Sequence, residues 1–150
     1  MIQRVQTLYL LLAAVLQTVC LCRPVGLFLG EDGELLSRLF NLWTSSEDGT
    51  HSLAPWALFA ILLIAATLTL ISVFLFRTRA LQMRAVSLSM VLLVGYYAYL
   101  VVFVWLHLEG VSYRPTVATA LPLVSIILLF LAFRGILKDE LLVRSLDRLR

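Results

Sequence analysis

Few side chains in this sequence have the chemistry to ligate a metal, move a proton or attack a substrate. Cys20 and Cys22 form a C-x-C inside an apolar run, and His107 stands two positions before Glu109, with His51 far away in the chain. On a helix, residues two apart point in nearly opposite directions, so the cysteines form neither an internal disulfide nor a converging pair of ligands. His107 and Glu109 lack the i, i+3 or i, i+4 spacing that sets two ligands on one helical face. The sequence contains no G-x-x-x-x-G-K-[ST] phosphate loop, no G-x-S-x-G elbow and no twin-arginine signal. The cysteines are therefore expected to be ordinary buried thiols and the histidines structural or solvated. No enzyme activity, metal or cofactor is expected.

The most unusual polar cluster is VGYYAYLVV, residues 94–102. It sets Tyr96, Tyr97 and Tyr99 beside Gly95 in the middle of an uncharged stretch, whereas tyrosine prefers the membrane interface. A buried hydroxyl needs a partner. Tyr96 and Tyr99 share a helical face at i, i+3, which leaves two readings. One is hydrogen bonding to Thr67, Thr69, Ser72 or Ser125 on neighbouring helices. The other is a small intramembrane pocket for lipid or an apolar ligand, lined by Tyr96 and Tyr99. Pro122, inside another apolar stretch, is expected to kink its helix and free a carbonyl for such bonding.

The elements that would carry these residues follow from composition. The chain is 61% hydrophobic and 14% charged, with a mean hydropathy of +0.98, against about 45–50% and about 25% in soluble domains. Four stretches carry no Asp, Glu, Lys or Arg and approach the ~20 residues that cross a bilayer: 5–22, 53–76, 85–108 and 115–133. Lipid offers no partner to an open backbone, so these are expected to be helices. The fold class is an all-α integral membrane protein, with residues 1–150 forming a single membrane domain. The first stretch also resembles a signal peptide, but no A-x-A site follows it and Val19 occupies the position where a lipobox needs a small residue, so it is expected to be retained. The cores of the four spans hold no Asp, Glu, Lys, Arg or His, which disfavours proton-coupled transport and haem ligation. With a net charge of only +3, no nucleic-acid partner is expected.

Lys and Arg near the span ends orient the chain. Arg4, Arg77, Arg79, Arg84, Arg134, Lys138, Arg144, Arg148 and Arg150 fall on one side, and only Arg23, Arg38 and Arg114 on the other. Both termini are expected in the cytoplasm. In the first outer loop, ELLSRLFNLW (34–43) places Leu35, Leu36, Leu39, Phe40 and Trp43 on one helical face, between Glu31-Asp32-Gly33 and Glu47-Asp48-Gly49. An amphipathic helix lying in the outer interface is expected there, N-capped by Asp32. After the fourth span, residues 134–150 are expected to continue as a cytoplasmic amphipathic helix. Leu142, Leu146 and Leu149 form its seam, and Glu140 pairs with Arg144.

MIQRVQTLYLLLA at one end and RGILKDELLVRSLDRLR at the other resemble an uncharacterised family of four-span inner-membrane proteins from Bacteroidota, domain of unknown function 4293. The residues that carry the resemblance are Gln3, Arg4, Gln6, Thr7 and Tyr9, then Lys138, Asp139, Glu140, Leu142, Val143, Ser145, Asp147, Arg148, Leu149 and Arg150. It implies four helices in a bacterial inner membrane and implies no activity. Both ends fall on the expected cytoplasmic face, so Gln3, Arg4 and Gln6 are expected to pack or hydrogen-bond against the start of the tail. The acids of that tail weaken attraction to anionic lipid and favour contact with a protein. The expected function is that of a non-enzymatic accessory or scaffold protein. Its partner would be a membrane or cytoplasmic protein, or a second copy, reached through Gln3, Arg4, Gln6, Lys138, Asp139, Glu140, Leu142, Arg144, Leu146, Asp147, Arg148, Leu149 and Arg150. The alternative is a small transporter or lipid-binding protein that uses Tyr96 and Tyr99.

Overall fold

A computed structural model describes residues 2–108 and 110–147, with side chains described for 5–108 and 110–145. Four helices carry the chain: α1 (Ile2–Cys22), α2 (Trp56–Phe74), α3 (Arg79–Leu106) and α4 (Val117–Asp147). All four are long and apolar enough to cross a membrane, and the chain is a multi-pass membrane protein. Helix α1 packs against α2 and α4, and α3 packs against α2 and α4, so the four close a ring. Four crossings return the chain to its starting end, so the start of α1 and the end of α4 lie toward the same end of the bundle.

Each helix presents a buried seam whose spacing alternates between four and three residues. The seams are Gln6, Leu10, Ala13, Gln17 and Cys20 on α1; Leu58, Leu62, Ala65, Thr69 and Ser72 on α2; Gln82, Val86, Ser89, Leu93, Tyr96, Leu100 and Phe103 on α3; and Ser125, Leu129, Ala132 and Ile136 on α4. A repeat of about 3.5 residues is that of knobs-into-holes packing in left-handed bundles. The opposite faces are as apolar as the core: Leu8, Val15, Ile64, Val91, Val101 and Ile127 are all exposed and face lipid in a bilayer. The Trp56–Arg77 span is 22 residues long, about 33 Å at ~1.5 Å per residue, which matches the ~30 Å of hydrocarbon. Exposed Trp56 and Trp105 mark one edge of that slab, and Arg77, Arg84 and Arg134 the other.

The helices start where local chemistry allows. Pro55 sits at the N-cap of α2, where its missing N–H is no loss. A single 3-10 turn, Leu75–Arg77, leads almost directly into α3. That helix begins at Arg79, six residues before the uncharged stretch, because Gln82 is buried against the bundle while Arg84 stays exposed and holds its charge out of the core.

The expected outer amphipathic helix is corrected. Residues 34–43 contribute a strand and a turn to a five-stranded antiparallel sheet in the order β4-β3-β2-β1-β5. Its strands are β1 (Gly26–Leu29), β2 (Leu35–Leu39), β3 (Thr44–Ser46), β4 (His51–Ser52) and β5 (Ser112–Pro115). The physical reason is the pair of Glu-Asp-Gly turns. Gly33 and Gly49 take φ of +79° and +77°, the left-handed region glycine enters readily, and each turn reverses the chain into a hairpin. Asp32 therefore lies in a turn and caps no helix. A ten-residue helix is marginal alone, whereas β2 gains two strand neighbours, β1 and β3. β5 comes from the loop between α3 and α4 and pairs with β1 from the loop between α1 and α2, so the sheet ties the two loops together.

Gly26 faces the ring of Tyr113 across the β1–β5 pair, closer than any Cβ could tolerate. Gly26→Val is expected to lower stability by about 1–3 kcal/mol and to speed hydrogen exchange of the 112–115 amides. Tyr113→Ala in the same chain should recover part of the loss, and a Gly26→Val chain with wild-type exchange would contradict this packing.

Candidate functional site

Polar side chains are rare inside this bundle, and the structure gathers them at three levels. At the sheet end the centre is Asn41, which is fully buried. Its Nδ2 donates to the Cys20 carbonyl at the end of α1 (2.7 Å), and its Oδ1 accepts from the Tyr96 hydroxyl on α3 (2.8 Å). Its backbone carbonyl accepts the Phe59 N–H from the first turn of α2 (3.2 Å). One loop residue thus joins three helices. Val25 plays a matching part for the fourth: its carbonyl accepts from the Thr116 N–H (3.1 Å), the Tyr113 hydroxyl (3.2 Å) and the Thr119 hydroxyl. Burial raises the Tyr113 hydroxyl above the ordinary phenol range, partly offset by a hydrogen bond with Thr119, so it remains a donor at neutral pH.

The tyrosines find partners other than the expected threonines and serines. Tyr96 uses Asn41, Tyr97 donates to the Thr119 carbonyl (2.5 Å), and Tyr99 stacks on Phe103 at 6.3 Å. Tyr96 is wholly buried, which leaves its ring no open face for a ligand. Pro122 lacks the N–H that would bond the Ala118 carbonyl one turn earlier, and the buried Cys20 thiol lies 3.3 Å from that oxygen as its donor. The expected burial of both cysteines is corrected at Cys22, which is exposed because it is the last residue of α1 and points away from the side that buries Cys20.

Half-way along the bundle, Gln17 donates to Thr69 (3.3 Å) and Thr69 and Ser89 share a hydrogen bond (2.8 Å); nearer the tail end, Gln82 donates to the Ser72 carbonyl (3.0 Å). Ser125 reaches the Ala13 carbonyl (3.3 Å). Sequence reasoning missed Gln17, Gln82 and Ser89, because a search for charged residues and histidine passes over neutral amides and hydroxyls. The available signal was position: these polar residues fall in the same four-three register as the apolar ones.

At the tail end, Gln6 donates to Asp139 (2.8 Å), the expected contact between the start of α1 and the start of the tail. Gly135 permits it, since a Cβ there would lie 3.0 Å from the Gln6 side chain. Gln6, Asp139, Arg79 and Gln82 border a small cavity of about 20 Å³, room for a single water. Arg79 Nη1 is buried there without a hydrogen-bond partner among the described residues. Helix α4 then runs on unbroken, with Arg144 paired to Glu140 at 3.1 Å as expected. Lys138 is exposed, and Leu142 is half exposed. The side chains of Gln3, Arg4, Leu146 and Asp147, and Glu109, Arg148, Leu149 and Arg150 altogether, lie outside the described residues.

Among the described residues, no three His, Cys, Asp or Glu side chains converge to hold a metal. Asn41→Ala leaves the Tyr96 hydroxyl and the Cys20 carbonyl buried without their side-chain partner, and is expected to destabilise the protein by about 2–4 kcal/mol in detergent unfolding. Tyr96→Phe should lose about 1 kcal/mol, and the double variant less than the sum of the two. Full additivity would mean the two side chains act independently.

A search of curated proteins finds no match. The family model described as a domain of unknown function, DUF4293, matches residues 2–149, nearly the whole chain including both terminal segments. The chain belongs to the DUF4293 family.

Proposed function

We propose that this is a non-enzymatic accessory or scaffold protein of a bacterial inner membrane, which uses its C-terminal helix to contact another protein. The observation that carries the proposal is the run of α4 past Asp139, its contact with α1. Beyond that point Leu141, Leu142 and Val143 stand exposed on a helix whose charges include a Glu140–Arg144 pair. A helix with apolar side chains outside the bundle and a mixed-charge flank fits a groove on a protein, and its acids fit an anionic lipid surface poorly. The Gln6–Asp139 bond supports the same reading, because it fixes the direction in which the helix leaves the bundle.

Orientation rests on charge. By sequence, nine of the twelve Lys and Arg residues fall on the side of the two terminal segments, which supports a cytoplasmic location for both termini and an outer location for the sheet. A transporter or lipid-binding role through Tyr96 and Tyr99 has less support, since Asn41 takes the Tyr96 hydroxyl and the bundle covers its ring.

A photo-crosslinking side chain at position 142 is expected to give discrete protein adducts in the native membrane, and removing residues 140–150 from the unlabelled chain is expected to abolish co-purification of the same protein. That truncation keeps Asp139 and should leave insertion and thermal stability unchanged. Adducts to lipid alone would overturn the proposal. In a Cys22→Ser background, Ser45→Cys and Ser145→Cys should react with an impermeant maleimide from opposite sides of the membrane. Labelling from the same side would refute the topology.

A further inference from the structure

The aromatic run of α3 continues beyond the tyrosines. Tyr99, Phe103 and His107 recur at i, i+4 and i+8, so they lie along one helical face. Their rings stack in sequence, Tyr99 on Phe103 with centroids 6.3 Å apart and Phe103 on His107 at 4.3 Å and 27°. Phe28 of β1 joins the ladder from the sheet, 6.5 Å from His107 and 5.5 Å from Tyr113. Against this ladder lies a cleft of about 330 Å³ between the sheet and the end of α3, within the ~300–1,000 Å³ of small-molecule sites. Phe28, Phe103 and His107 line its aromatic side, and Ser37, Thr44 and Ser52 bring hydroxyls to it.

The lining defines the chemistry of an occupant. Among the described residues, no Lys, Arg, Asp or Glu borders the cleft, so its described lining offsets no charge on a phosphate, a carboxylate or an amine and favours a neutral occupant. Aromatic rings favour a flat partner that stacks, whereas a flexible acyl chain loses rotamer freedom on entering a short cleft. The imidazole fixes the polarity of the contact. His107 Nδ1 lies 2.8 Å from the Phe103 carbonyl, an oxygen that can only accept, so Nδ1 carries the hydrogen. In the neutral ring Nε2 is then an acceptor, and the matching group on a ligand is an O–H or N–H.

We propose that this cleft is a binding site for a small, neutral, planar aromatic molecule bearing one hydroxyl or N–H, stacked beside Phe103 and His107 and donating to His107 Nε2. The site is separate from the buried Tyr96 hydroxyl and from the C-terminal helix.

1-Naphthol is a suitable probe, and 1-methoxynaphthalene is its control with the ring kept and the donor removed. Binding is measured by equilibrium dialysis against the full chain in nanodiscs, with empty nanodiscs correcting for partition into lipid. The expected result is saturable binding of one 1-naphthol per chain. Affinity should be about tenfold weaker for 1-methoxynaphthalene and for 1-naphthol with His107→Phe, a hydrogen bond's worth in each case. Ser37→Trp, which fills the cleft, should abolish binding while Tyr97→Phe leaves it intact. Equal affinity for the two probes, wild-type binding by His107→Phe or Ser37→Trp, or no saturable binding at all would overturn the proposal. Should His107→Phe fail to fold, the probe comparison and Ser37→Trp still decide it.

Discussion

Where a helix ends near lipid, its terminal carbonyls and N–H groups must find partners inside the protein, because neither hydrocarbon nor the packed core supplies them. At the sheet end α1 finishes and α2 begins, and both sets of free groups come together. Asn41 resolves the two at once: its amide N–H serves the Cys20 carbonyl and its own carbonyl receives the Phe59 N–H. The remaining amide oxygen takes the Tyr96 hydroxyl. A side chain with both a donor and an acceptor is required, which an aspartate or a leucine of similar size could not provide. The sheet is the device that delivers Asn41 to this point, since β2 leads straight into the turn that holds it.

Below that seal, the bundle is held by a different arithmetic. Core and lipid faces are equally apolar, so exclusion from water does not decide which face of a helix turns inward. Small and polar residues decide it. Ala13, Ala65 and Ala132 let the backbones approach, and Gln17, Thr69, Ser89 and Ser125 bond between helices. Each such bond contributes only about 0.6 kcal/mol on average, but each is satisfied in a single rotation of its helix. They set register more than they set stability.

Helix number and approximate bounds could be read from the sequence because charge-free length is a direct physical requirement for crossing a bilayer. The same property hid the core. With Leu and Val on every side, no hydrophobic stripe separates Leu10 or Leu129 from Leu8 or Ile127, and only the spacing of Gln6, Gln17, Gln82 and Ser89 marks the inner face. The loop between α1 and α2 failed for another reason. Leu35, Leu36, Leu39 and Phe40 satisfy a helical pattern and a short strand pattern alike, and the β1 and β5 partners that settle the matter come from elsewhere in the chain. Of the tail-end site, the Gln6–Asp139 pairing was accessible from the two terminal motifs, whereas Arg79 and Gln82 belong to it only through the folding of α3.

The pairing of α1 with α4 has a consequence in time. Synthesis delivers helices in chain order, so α1, α2 and α3 emerge before α1 meets the helix that covers Gln6 and the Ala13 carbonyl. Strand β1 likewise waits for β5, which precedes α4 by a single residue. Both closures therefore fall to the same late stretch of chain. Until it arrives, a partly made molecule carries an open polar seam within the bilayer and a bare strand edge beyond it, the two features a membrane protease or chaperone could use to tell an unfinished copy from a finished one.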